Sequence, residues 1–249
     1  GWLKLGKDRW RDEIHLADQV VAEHRDSFRS MVGDAAKFDG RAVTILIDQS
    51  GSMRDEPMRW AAVASFLAGE ALQELGAAVE ILGFSTAGGR GGFAYGKWKQ
   101  AGQPKRPGRL CSTLHIVYKA HEEGSLDRAN WEAMLNPNVL RENVDGEALQ
   151  WAAKRLEHSS ADRKQLIVLS DGAPVDAATY VHNGSGYLVR HLGNVIADLT
   201  EDRSLELSAI GIRHAVGEYY VRSTSTEDLT ELPKLLAQRL SAPDDEATK

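Results

Sequence analysis

A single cysteine, Cys111, in 249 residues leaves no means of closing an intrachain disulfide or of building a multi-thiolate metal site. A reducing compartment is therefore permitted. No apolar run approaches the roughly 18 residues of a membrane span, and Gly1-Trp2-Leu3-Lys4 does not open a signal peptide, so a soluble, cytoplasmic parent without membrane partners is expected. Basic charge is also short. The 36 acidic residues outnumber the 30 basic ones, giving a net charge of -6, which argues against a general nucleic-acid binder. There is no Gly-x-x-x-x-Gly-Lys-Ser/Thr phosphate loop, no nucleophile elbow and no dinucleotide glycine fingerprint, which disfavours an independent ATPase, a hydrolase and an oxidoreductase. What remains is a chain with 42% hydrophobic and 27% charged residues, enough for the core of one large α/β domain with extensions. Its start at Gly1 rather than Met suggests a processed chain or a fragment.

The apolar pattern alternates between strand-like and helix-like segments. Residues 10–32 carry the spacing of one or two amphipathic helical pieces. Ala42-Val43-Thr44-Ile45-Leu46-Ile47 has the β-branched, continuous apolar character of a strand covered on both faces. After a polar loop, Pro57 opens a helix whose Trp60, Val63, Ala64, Leu67, Ala71 and Leu75 make one stripe, with Gly76 as its C-cap. Strands are expected at 79–84, 165–170 and 205–212, and helices from 143 to 156, 187–199 and 229–240, the last containing Pro233. Such alternation favours an open, doubly wound, mostly parallel sheet. Residues 85–120 differ from the rest, with seven Lys or Arg and no acid. Their glycines and prolines predict an irregular connection, although Leu114–Tyr118 could form a short strand.

The sharpest local pattern is Asp48-Gln49-Ser50-Gly51-Ser52 directly after a hydrophobic strand. A tight loop there can turn the oxygens of Asp48, Ser50 and Ser52 towards one point, and Asp171, ending another strand, can approach from the neighbouring loop. Mg2+ favours such hard oxygen donors. The same residues could instead cap turns and satisfy nearby amides. Asn143 and Asp145 offer further oxygens or act as helix caps. In the basic segment, Arg106 and Arg109 could receive carboxylates of a partner or substrate, or be solvated, and Trp98 could anchor an interface or pack on its own domain. His182, His191 and His214 form no compact ligand pattern, and Cys111 has no local base.

The chain resembles a von Willebrand factor A (VWA) domain, whose metal-ion-dependent adhesion site combines an Asp-x-Ser-x-Ser loop with a threonine and an aspartate. Asp48, Ser50, Ser52 and Asp171 match. The threonine is absent, with Asn143 near its place and Asp145 as a local donor. A narrower resemblance is to the C-terminal VWA domain of the aerobic cobaltochelatase adaptor subunit of cobalamin biosynthesis. It rests on Thr44–Met53, Val79–Phe84, Arg106–Leu110, Glu142–Leu149, Leu169–Asp176, Tyr187–Leu192 and Ala209–His214. The resemblance implies a VWA-like domain over 40–241 with an insertion around 85–142, preceded by a helical extension at 1–39 and followed by a flexible acidic tail at 242–249. It also implies a noncatalytic, Mg2+-dependent subunit that couples an AAA+ ATPase, which binds the ATP, to a large cobaltochelatase subunit inserting cobalt into a corrin precursor. An adaptor for another AAA+ machine is the alternative.

Overall fold

The run 42–47 forms the middle of strand β1 (Arg41–Asp48), and all eight residues of that strand are buried, as expected for a strand with helices on both faces. The computed structural model describes residues 2–88, 91–201 and 205–242. Around β1 the chain runs α1 (Trp2–Val32), α2 (Glu56–Glu74), β2 (Ala78–Ala87), α3 (Gly92–Gln100), β3 (Ser112–Lys119), α4 (Arg128–Met134) and α5 (Asp145–Glu157). It continues through β4 (Arg163–Ser170), α6 (Ala177–Asn183), α7 (Gly186–Glu201), β5 (Leu205–Ile212), β6 (Ser223–Thr226) and α8 (Leu232–Ser241).

The six strands form one sheet in the order β3-β2-β1-β4-β5-β6. Every pairing is parallel except β2 with β3. This is the doubly wound, mostly parallel architecture anticipated above. On one face, Val43, Ile45 and Ile47 join a core with residues of α1, α2 and α8; on the other, Ala42 and Leu46 join residues of α5 and α7. The order reverses between β1 and β4, whose C-terminal ends lie side by side. Open α/β sheets bind ligands at such a crevice because the flanking chains diverge there.

Several elements differ from the sequence expectation. The amphipathic segment 10–32 belongs to one continuous helix of 31 residues, α1. Its Ala17, Val21, Phe28 and Val32 enter the main core, each large side chain worth about 1.5–3 kcal/mol in burial. Ion pairs line its flank, among them Arg59–Glu13 at 2.6 Å and Arg25–Glu70 at 3.0 Å. The glycine-rich basic segment is not simply irregular: it contains α3 and the edge strand β3. The final helix begins as a 3-10 turn at Leu229–Glu231 and becomes α8 at Leu232, which puts Pro233 in the first turn, where a missing N–H is harmless. Most of the acidic tail, 243–249, lies outside the described residues.

Among the described residues, no helix is long and apolar enough to cross a membrane.

Candidate metal centre

Asp48 is the last residue of β1 and Ser170 the last of β4, so the adjacent parallel strands deliver Asp48 and the following Asp171 to the same crevice. The Asp48 loop then turns back on itself. The Ser50 amide donates to Asp48 Oδ1 at 2.8 Å, and a 3-10 turn at Gly51–Met53 brings the Ser50 and Ser52 hydroxyl oxygens to 3.0 Å from each other. Ser50 Oγ also donates to Asp171 Oδ1 at 3.3 Å, which ties the two loops together.

A third segment closes the crevice. The Gly51 amide donates to the Arg141 carbonyl at 2.5 Å and the Arg141 amide to the Gln49 carbonyl at 3.2 Å, while Asn143 and Val175 form a second bridge. The six residues expected to gather here do gather. Their roles separate by depth. Ser50, Ser52, Asn143 and Asp171 line a cavity of about 470 Å3, with Arg141, Glu142, Val175 and His214 among its walls. Asp48 and Asp145 are buried behind it.

Asn143 does not offer its carbonyl to this cavity. Its Oδ1 accepts from the Val175 amide at 3.1 Å, and its Nδ2 donates to Asp145 Oδ2 at 2.9 Å and Asp48 Oδ2 at 3.4 Å. It acts as a brace between loops, separating two carboxylates by an amide. Asp145 opens α5, but no side-chain hydrogen bond caps that helix at Val144.

Ser170, which sequence reasoning passed over, donates to Asp48 Oδ2 at 3.1 Å. Its only signal was its place beside Asp171. Gln49 is likewise central: its Oε1 accepts from the Tyr118 hydroxyl at 2.8 Å beneath the loop. Gly83 makes room for it, since a Cβ there would lie 2.2 Å from Gln49 Oε1. Gly146 does the same for His191, whose Nδ1 would be 2.3 Å from an added Cβ.

The electrostatics of the crevice are unbalanced. Burial, then the neighbouring Asp171 charge, push the Asp48 carboxyl up from 3.8 to about 7. Burial and the Asp48 charge push Asp145 well above the usual carboxylate range. The neutral donors around Asp48 offset only part of this. Among the described residues, no group of three or more His, Cys, Asp or Glu stands in ligand positions, so any cation here must draw on the serine hydroxyls as well. All the available donors are hard oxygens, a set that fits Mg2+ and not a soft thiophilic metal.

The remaining candidates lie elsewhere. Trp98 is 9% exposed, donates to the Pro104 carbonyl at 3.0 Å and packs on His182 of α6 with ring centroids 4.3 Å apart, so it packs its segment onto its own domain. Arg109 pairs with Glu147 at 2.5 Å and also donates to the Cys111 carbonyl. Arg106 is exposed, with a left-handed φ of 55°. Cys111 is buried, its thiol pushed up to about 12 by desolvation, which makes it inert as a nucleophile at neutral pH.

The SpaC pilus adhesin of Lactobacillus rhamnosus GG is 13% identical, with a TM-score of 0.51 over 80% of this chain and 29% of that one. The PilB minor pilin of Streptococcus sanguinis is 16% identical, with a TM-score of 0.51 over 80% of this chain and 60% of that one. This chain thus spans less than two thirds of either protein, and the likeness is one of fold. The sequence itself matches the family described as "Cobalamin biosynthesis protein CobT VWA domain" over residues 28–242. The match runs from the C-terminal part of α1 through α8 and takes in every residue of the crevice, so the chain belongs to the CobT VWA-domain family of cobalamin biosynthesis.

Proposed function

We propose that the crevice holds Mg2+ through Ser50, Ser52 and Asp171, with Asp48 behind them, and that the chain couples an AAA+ ATPase to the large cobaltochelatase subunit during cobalt insertion into a corrin precursor. The observation that carries this reading is the crowding of buried carboxyls at the meeting point of β1 and β4, with Asp48 raised to about 7 and, among the described residues, no cationic side chain bonded to it. A bound cation would neutralise that charge and offer a coordination position to a partner's carboxylate.

The chain's own residues do the rest. Ser170 and Asn143 hold Asp48 in place, Gly51 and Arg141 hold the loop against its neighbour, and Ser50 joins the two strand ends. Asp48 and Ser170 are the last residues of β1 and β4, so the buried C-terminal parts of these strands fix the points from which both loops start. In this reading ATP hydrolysis and metal insertion fall to the partners, and the complex works in the cytoplasm.

The test is ATP-dependent cobalt insertion by purified AAA+ and large chelatase subunits, with and without this chain. Insertion is expected only with it, and full activity in its absence overturns the adaptor role. Pull-down of the partners in Mg2+ or EDTA, using wild type and folded Asp48→Ala and Asp171→Ala variants, separates assembly from chemistry. Unchanged Mg2+-dependent retention by both variants would reject the cation bridge.

A further inference from the structure

A second cavity, of about 390 Å3, opens beside the crevice on the side of α1. Its floor is apolar, made by Trp10, Met58, Leu135 and Leu140. Its rim is cationic. Arg9 is paired with Asp55 at 2.5 Å and Glu13 with Arg59 at 2.6 Å, so these acids are already compensated within the fold. Among the described residues, the Arg54 guanidinium makes only a long contact to the Pro137 carbonyl at 3.4 Å. Among the described residues the Arg141 guanidinium has no hydrogen-bond or ion-pair partner. Asp55, a non-glycine residue, stands at φ 67° in the cavity wall with its carboxylate paired to Arg9; sparsely populated backbone of this kind clusters at functional sites.

The two cavities meet at one residue. Arg141 lines both of them, while its backbone is bonded to the Asp48 loop. A peptide leaving the crevice in this direction passes over an uncompensated guanidinium and then over an apolar floor.

We infer that this pocket docks an acidic, extended segment of a partner protein, in which an apolar side chain fills the floor and a carboxylate beside it pairs with Arg54 and Arg141. Guanidinium groups match carboxylates through paired, charge-assisted hydrogen bonds. A desolvated apolar anchor ringed by such contacts is the usual source of affinity in a small interface. The inference rests on the reading of the crevice given above only for the direction from which the segment arrives.

The experiment is fluorescence anisotropy with labelled Glu/Asp-rich peptides carrying one central leucine, set against the same peptides with serine in its place, in Mg2+ and in EDTA. The leucine peptide is expected to bind best. Arg54→Glu/Arg141→Glu is expected to weaken it by about tenfold or more, while the charge-matched Lys105→Glu/Lys154→Glu control, at exposed lysines outside the pocket, changes it less than about twofold. Circular dichroism verifies that both variants are folded. Affinity that survives EDTA but falls in Arg54→Glu/Arg141→Glu supports the pocket even if the cation reading fails. Binding lost in EDTA yet indifferent to Arg54→Glu/Arg141→Glu overturns the pocket and leaves the cation reading standing. Equal loss in the control, equal binding of the serine peptide, or no binding at millimolar peptide also overturns it.

Discussion

Glu80 on β2 and Asp48 on β1 are fully buried side chains on adjacent strands, yet the fold treats them in opposite ways. Glu80 Oε1 accepts from Arg155 Nε at 2.8 Å and Nη2 at 2.5 Å, so α5 supplies a guanidinium to this carboxylate. Asp48, at the C-terminal end of its strand, receives among the described residues only neutral donors, from Ser50, Ser170 and Asn143, and is crowded by Asp171 and Asp145. A buried carboxylate with an internal counter-charge is satisfied by the fold itself; one crowded by others of the same sign carries a charge that the proposed cation would neutralise. That contrast, more than the presence of acidic residues, underlies the proposed Mg2+ site.

The comparison can be broken first at its compensated end. Arg155→Ala strands the Glu80 charge in the core and is expected to cost about 2–3 kcal/mol in urea denaturation, below the full value for a buried pair because the Arg155 side chain is 32% exposed. Loss under about 0.5 kcal/mol would show that Glu80 does not need its partner. Its neighbour His121, with Nδ1 at 3.9 Å, is placed to soften the effect at low pH.

At the uncompensated end the effect depends on pH. The folded Asp48 carboxyl lies at about 7 against an ordinary value of 3.8, so the folded state holds this proton more tightly than the unfolded chain. The stabilisation is complete below the ordinary value and is lost as pH rises through about 7. In EDTA the protein is therefore expected to lose about 1–3 kcal/mol between pH 5 and pH 8, and excess Mg2+ should recover most of that loss at pH 8. Thermal melts at both pH values measure it. A flat profile in EDTA would mean that the charge at Asp48 is relieved by groups other than a cation.

The smallest expected effect concerns Ser170. Replacing it by alanine removes one donor from Asp48 Oδ2, and should cost about 1 kcal/mol at pH 8 in EDTA and less at pH 5, where the carboxyl is protonated. Equal losses at the two pH values would assign Ser170 a packing role alone.

Much of this was readable before the structure, because the informative features are local. The continuous apolar runs of β1 and β4, each stopped by an aspartate, specify buried parallel strands whose ends can meet, and the Asp-x-Ser-x-Ser spacing specifies a loop that folds its oxygens inward. Three kinds of feature were not readable. The edge strand β6, Ser-Thr-Ser-Thr, carries no apolar signal because its partners lie on one side only. Helix α3 includes Gly92 and Gly96, which depress helix propensity, and it is held by tertiary packing such as Trp98 on His182. The depth of each oxygen donor was also hidden: Asn143 and Asp145 look alike in sequence as possible ligands or caps, and only the bridge to Val175 reveals Asn143 as a brace.

The central claim is most directly tested by titrating Mg2+ calorimetrically into the purified chain and into a folded Asp171→Ala variant near neutral pH. One saturable site in the wild type, absent from the variant, is the expected result. A wild-type chain that takes up no Mg2+ at millimolar concentration, or a variant that binds it equally well, would contradict the account.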